Sequence, residues 1–189
     1  ARLLHVDGHP SAPAKAAARW AREAGVTVTA DLDNVYPEVE ALLEYVDYAI
    51  TSCEFPERLT GISSLVEALL QISQRFGCRV VGSTLGREGV LAWDRSYFHY
   101  CPGFCVTAVD TTGAGDIFHA GLAHGLLSGK SLPDALEFGC AAAALNCTAL
   151  GARGGIHPVA EIERLIREGE RHAPLYDAKE LQRFTSSKR

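Results

Sequence analysis

Strand-like and helix-like runs alternate at short intervals along this chain, and that alternation restricts the fold more than any other feature. Residues 2–6, Arg-Leu-Leu-His-Val, form an apolar run ending at Asp7-Gly8, a strand and then a turn. A helix follows over 11–24, with Ser11 placed to cap it, Pro13 in its first turn and Gly25 as its stop. Val and Thr alternate over 26–30, a strand that ends at Asp31. Helices over 37–45, 55–59 and 62–76 are separated by strands at 46–50 and 78–82, and the helix at 62–76 carries its apolar residues at Leu65, Leu69 and Ile72. Residues 90–93 and 97–100 flank Asp94-Arg95-Ser96 and predict a hairpin, and 105–109 read as one more strand. Ala- and Gly-rich helices are expected at 114–127 and 132–150, a last helix at 158–170, and a polar tail after Pro174. The pattern predicts an α/β layer fold with a largely parallel sheet covered on both faces, whose ligands bind at the carboxyl ends of the strands. No internal repeat or second domain is visible. One domain is expected over 1–172, with 173–189 as the tail.

Charge and hydropathy exclude several functions. A net charge of -5 is the wrong sign for a nucleic-acid surface. The longest apolar stretch, 140–150, is interrupted by Asn146 and is too short for a bilayer. It reads instead as a buried helix, and a cytoplasmic protein without membrane partners is expected. The start turns acidic by Asp7, unlike a signal peptide. The six cysteines contain no C-x-x-C pair and read as small buried hydrophobes in a reducing compartment. The chain has no methionine and begins inside a strand, so an N-terminal piece is expected to precede it.

The chemistry concentrates in residues 106–121, VTAVDTTGAGDIFHAG. A strand ends at Asp110, a loop of small residues runs from Thr111 to Gly115, and a helix begins at or near Asp116. Glycines let a ligand approach the backbone, and the first amides of a helix point outward as donors with the helix dipole behind them. Together they form an anion site suited to phosphate. A carboxylate at that place has the wrong sign for phosphate but is the right group to take a proton from a hydroxyl beside one. On spacing alone, a simple helix-capping role for Asp116 stands level with this.

Two other motifs fail. Gly113-Ala114-Gly115 would open a G-x-G-x-x-G pattern, but Phe118 holds the third glycine position. Residues 125–131, GLLSGKS, are one residue short of a Walker A loop and follow a helix, so Gly129 reads as a C-cap. His119 and His124 are five apart, off a common helix face, and His119 reads as a packing residue; Trp20 and Trp93 read as core or partly buried anchors.

Residues 110–116, Asp-Thr-Thr-Gly-Ala-Gly-Asp, resemble the C-terminal signature of the PfkB carbohydrate kinases, which include ribokinase, fructokinase and ketohexokinase. The likeness runs on through Gly121. Upstream, 83–89 (STLGREG) resemble the family's turn along the nucleotide, and 150–154 (LGARG) resemble the glycine loop that closes the ATP site. The resemblance implies a ribokinase-like layered α/β/α fold with its N-terminal part missing. It implies an ATP-dependent kinase that transfers the γ-phosphoryl group to a sugar hydroxyl. Asp116 would be the general base, with the amides of Gly113, Ala114 and Gly115 as anion hole. Thr84, Gly86 and Gly89 would line the phosphates and ribose, Cys140 and Ala143 the adenine. Asp110, with carbonyls near Gly151, would hold a monovalent cation such as K+, and Mg2+ would accompany ATP. A homodimer is compatible with this. The family's N-x-x-E motif lacks its asparagine here, where 51–57 read TSCEFPE, leaving Glu54 for part of the metal role. The sugar-binding half, which normally precedes this point, is not in the sequence, leaving open that the chain alone is inactive. Two alternatives stand beside the kinase: a nucleotide-binding remnant without catalysis, and a relative that phosphorylates a nucleoside or a vitamin alcohol.

Overall fold

The computed structural model describes residues 1–186, and the chain divides into two compact units. The first comprises residues 1–85 and 91–99 with the chain from Leu181; the second comprises 86–90 and 100–180. In chain order the elements are β1 (Leu3–Asp7), α1 (Ser11–Glu23), β2 (Thr27–Leu32), α2 (Val39–Leu43), β3 (Tyr48–Thr51), α3 (Phe55–Thr60), α4 (Leu65–Phe76), β4 (Val80–Thr84), β5 (Val90–Trp93) and β6 (Phe98–Cys101). The helices α5 (Ala114–Leu127), α6 (Leu132–Asn146), α7 (Val159–Glu168) and α8 (Ala178–Ser186) complete the described chain.

The strands form one sheet in the order β1-β2-β3-β4-β5-β6. The pairings of β1 with β2, β2 with β3 and β3 with β4 are parallel, with Leu3 opposite Thr27, Ala30 opposite Ala49 and Ile50 opposite Gly82. A parallel step needs a crossover, and α1, α2 and the α3–α4 pair supply the three required. The central strands are apolar along their length, as in a sheet covered on both sides: Val28, Ala30, Leu32, Ala49, Ile50 and Val81 are fully buried. One acid is built into this layer. Asp47 is buried just before β3; its carboxylate accepts from the Val28 amide (2.9 Å) and pairs with Arg79 (3.3 Å). A buried charge held by both a hydrogen bond and a cation is tolerated, and here it ties the entry of β3 to β2.

Local chemistry sets several boundaries. Ser64 accepts a hydrogen bond from the Glu67 amide (3.4 Å), so α4 starts at Leu65 rather than at residue 62. Ser11 does not cap α1 as expected; its hydroxyl turns back to donate to the Gly8 carbonyl at 2.6 Å. Trp93 is buried at 7% exposure, but Trp20 is 62% exposed on the outer side of α1 and is no anchor. All six cysteines are free thiols; Cys78, Cys101 and Cys140 are buried, whereas Cys53 and Cys105 are exposed, against the expectation of uniform burial.

In the second unit the expected strand at 105–109 does not form. Its amides bond elsewhere: Cys105 donates to the Glu170 carbonyl (2.9 Å), and Val109 and Asp110 both donate to the Cys147 carbonyl (2.7 and 3.2 Å). Val- and Thr-containing segments make a strand only where a neighbouring strand lies open to pair, and here the ends of two helices take the donors. Helix α6 also stops at Asn146, short of residue 150. Gly129 closes α5 in a left-handed conformation (φ 75°), with Lys130 donating back to the Gly125 carbonyl at 3.0 Å, the helix stop expected in place of a Walker A loop. The stretch expected as a polar tail carries α8, with Leu181 buried; residues 187–189 of that tail lie outside the described residues.

Helices α5 and α6 are fitted through glycine. A Cβ added at Gly121 would lie 2.9 Å from Gly139 Cα, and one at Gly139 would lie 2.9 Å from the Phe118 carbonyl oxygen. The two backbones therefore touch, with Phe118, Leu122, Leu136 and Phe138 buried around the contact. Each large apolar side chain so buried contributes about 1.5–3 kcal/mol.

Candidate active site

Helix α5 starts at Ala114, as expected from the sequence, which puts Asp116 in its third position. The residue before it, Gly113, is left-handed at φ 74°. A Cβ there would come within 2.8 Å of the Ala152 carbonyl oxygen, so a loop this tight admits glycine alone. Gly115 differs: a side chain added there would meet nothing within 4 Å. Gly115 and Asp116 are both exposed.

The first turn of α5 has no side-chain cap. Ala114 donates to the Thr111 carbonyl at 3.1 Å, so its amide is spent on the turn itself. Among the described residues, no acceptor is recorded for the amides of Gly113, Gly115 and Asp116, and none for a donor to the Asp116 carboxylate. Asp116 therefore does not cap its helix. Donors and an acceptor stand ready at one helix start, where the dipole adds positive potential.

Asp110 clasps the loop. One carboxylate oxygen accepts from the Thr112 amide (2.9 Å) and the Thr112 hydroxyl (2.7 Å); the other accepts from the Gly151 amide (2.8 Å). The Thr112 bonds, with that of Gly151, hold its carboxyl below the ordinary aspartate value. Gly151 itself is left-handed at φ 85°. The clasp joins the start of the signature loop to the turn after α6, the two segments that the sequence assigned to one cation site.

Asn146 was legible only as an interruption in an apolar run. It is fully buried, and its Nδ2 donates to the Thr112 carbonyl at 3.3 Å. An asparagine inside an otherwise apolar helix was the available signal.

The expected nucleotide residues divide between the units. In the first, Thr84 ends β4 and its hydroxyl donates to the Thr51 carbonyl (3.3 Å), beside Ser83, which donates to the Ser52 carbonyl (3.0 Å). Glu54 precedes α3 as an exposed residue that makes no side-chain cap. In the second unit, Gly86 and Gly89 bound a short 3-10 turn, both at positive φ; a Cβ on Gly89 would fall 1.9 Å from the Cys101 carbonyl oxygen. Ala143 is half-buried on α6. Cys140 keeps only 7% of its surface exposed, so a ligand could touch only its edge. The neighbouring Cys101 thiol and burial push the Cys140 thiol well up, while Cys101, which accepts from Arg171 (3.7 Å), is pulled down. His119 is buried, and His124 stacks on Phe138 at 4.9 Å.

Among the described residues no three His, Cys, Asp or Glu side chains cluster as a metal site, and no helix is long and apolar enough to cross a membrane.

The chain is similar to several known proteins. The chain is 34% identical to the ribokinase of Haemophilus influenzae over 152 residues, which cover 78% of the chain and 49% of that protein. The ribokinase structure of Thermotoga maritima superposes with a TM-score of 0.77 at 28% identity, covering 89% of the chain and 57% of its counterpart. A Vibrio cholerae fructokinase double mutant, solved with fructose, ADP and potassium, superposes at 0.76 with 27% identity, over 87% of the chain and 60% of its counterpart. The chain spans about half the length, or less, of the curated relatives it matches. The pfkB family carbohydrate kinase pattern matches residues 1–158, and with the ribokinase-like sheet and the 110–116 loop in place, the chain belongs to that family.

Proposed function

We propose that this chain carries the phosphoryl-transfer half of an ATP-dependent sugar kinase, with Asp116 as the general base. The observation that carries the reading is the start of α5, where an exposed carboxylate without a partner shares a helix turn with amides that have no acceptor. Phosphoryl transfer asks for charge stabilisation at the moving group and a base for the incoming hydroxyl. The amides of Gly113 and Gly115 answer the first need. The amide of Asp116 joins them in place of Ala114, whose N–H is already bonded. The Asp116 carboxylate answers the second need by accepting the hydroxyl proton as the new oxygen–phosphorus bond forms.

Thr84, Gly86 and Gly89 are the proposed contacts to phosphates and ribose, with Ala143 and the edge of Cys140 toward the base. Magnesium would enter with ATP. A site without a ready-made cluster of acids fits a metal carried largely by phosphate oxygens, and Glu54 is the acid proposed to assist it. Asp110 and the Gly151 turn fit a monovalent cation, because the carboxylate oxygen that takes only the Gly151 amide retains acceptor capacity beyond that bond. In that role the cation would neutralise charge behind the loop. Cytoplasmic location and a homodimer belong to the same proposal.

The test is ADP release from Mg-ATP with a panel that includes ribose and fructose, on the full-length protein and on its Asp116→Asn variant. Loss of a general base lowers kcat by about 10²–10⁴-fold, while ATP affinity should stay within a few-fold. Turnover that survives Asp116→Asn within a few-fold overturns the base assignment. ATP binding without turnover of any sugar favours a non-sugar substrate or a binding role.

A further inference from the structure

The buried end of α6 holds a polar group that the mechanism above does not use. Asn146 is 0% exposed, and its Oδ1 is the buried side-chain acceptor left without a hydrogen-bond partner among the described residues. Burying an amide with one end unsatisfied costs stability that an alanine would not, and such a group calls for a reason. Its other end supplies one. Nδ2 donates to the carbonyl of Thr112, and the reverse orientation would set two oxygens face to face. The backbone beneath is pinned as well, since a Cβ on Gly155 would come within 2.5 Å of Asn146 Cα.

The Thr112 carbonyl lies immediately before the loop's first free amide, that of Gly113. Asp110 holds Thr112 through its amide and hydroxyl. The carbonyl is held by Asn146. The two grips thus hold the peptide planes on either side of Thr112, and the second of these carries the Gly113 amide.

We propose that Asn146 is a positioning residue for the phosphate loop, acting through the Thr112 carbonyl to aim the amides of Gly113, Gly115 and Asp116. For its ligand this rests on the kinase reading; for the loop it does not. Asn146→Asp keeps the shape and replaces the donor with an oxygen that repels the Thr112 carbonyl. Burial and the nearby Asp110 carboxylate raise the pKa of the introduced carboxyl, so mild acid protonates it and restores a donor.

The experiment follows exchange of the bonded loop amides, Thr112 and Ala114, with α7 as internal reference, alongside Mg-ATP affinity, in the full-length protein. Loss of one such bond corresponds to about a tenfold change. Asn146→Asp should show it at neutral pH in both loop exchange and ATP affinity, spare α7, and return toward wild type at acid pH. Exchange unchanged in the loop, or changed equally in α7, or not recovered in acid, overturns the proposal. A loosened loop with unaltered ATP affinity overturns its role in nucleotide binding. A wild-type protein that binds no ATP, with the loop still responding, removes the kinase reading and leaves the positioning role standing. Should Asn146→Asp fail to fold, Asn146→Ala removes donor and orphan acceptor together; it should loosen the loop with little loss of thermal stability, and a rigid loop in that variant is equally fatal.

Discussion

Two helices of the second unit begin in opposite ways. Helix α6 is closed at its start: Ser131 accepts from the Asp134 amide at 3.3 Å and donates to the Asp134 carboxylate at 2.5 Å, with Pro133 in the first turn where no amide is needed. Helix α5 begins on a left-handed glycine, has no side-chain cap, and leaves its amides and its acid unmatched. Both starts lie in one unit and follow small-residue loops. A capped start is complete within the fold, whereas an open one leaves donors available to a partner from elsewhere. The contrast separates a structural Ser-x-x-Asp from a candidate catalytic Gly-x-x-Asp, although each places an aspartate in the third helical position.

That contrast can be broken most severely at Gly113. Gly113→Val forces a β-branched residue to φ 74° against Ala152, and about 2–4 kcal/mol of unfolding free energy should be lost, measured by denaturant titration. Retained stability would mean that the loop is not bound as tightly as its contacts indicate. Gly115→Val probes the other glycine. Its side chain enters open space, so stability should hold while ATP affinity and turnover fall by about 10²-fold, read by calorimetry and the ADP assay. Unchanged binding and turnover together would remove the anion-hole reading. Ser131→Ala should do the reverse, costing about 1 kcal/mol in thermal unfolding with ATP affinity untouched. If that variant weakened ATP binding, the two helix starts would not be functionally separate.

The smallest effect concerns pH. Asp110 has a folded pKa below its unfolded value, so its clasp contributes fully above the unfolded value and is lost only as pH falls through the depressed folded one. A carboxyl-carbon NMR titration of Asp110 should therefore reach its midpoint below the ordinary aspartate range, and a midpoint at or above that range would mean that the clasp is open in solution.

Much of this was legible beforehand because its causes are local. Gly129 stops α5 through its own conformation, and the strand–helix alternation of residues 1–84 needs only parallel crossovers to become a sheet. The helix at 114–127 was bounded by glycine before it and a glycine stop after it. What stayed hidden depends on partners distant in sequence. Residues 105–109 look like a strand until the carbonyls of Glu170 and Cys147 claim the amides at its two ends. Trp20 looks like an anchor until α1 turns it outward. The candidate site shows the same division. Asp116 and the glycines announced themselves by type and spacing, but the exchange of Ala114 for Asp116 among the free amides required the Thr111 turn. Asn146 required knowledge of which carbonyl it would meet.

The glycine seam between α5 and α6 has a mechanical meaning. Gly121 stands eight residues beyond Gly113, roughly 12 Å along the helix axis. With backbone against backbone there, α5 behaves as a lever on a fixed pivot. A single methyl group inserted at Gly121 or Gly139 would tilt its free end and carry the carboxylate of Asp116 with it, although the change lies well away from the loop. Mutations that silence this protein should thus collect in two places, the loop itself and a stripe of small residues a dozen ångströms behind it.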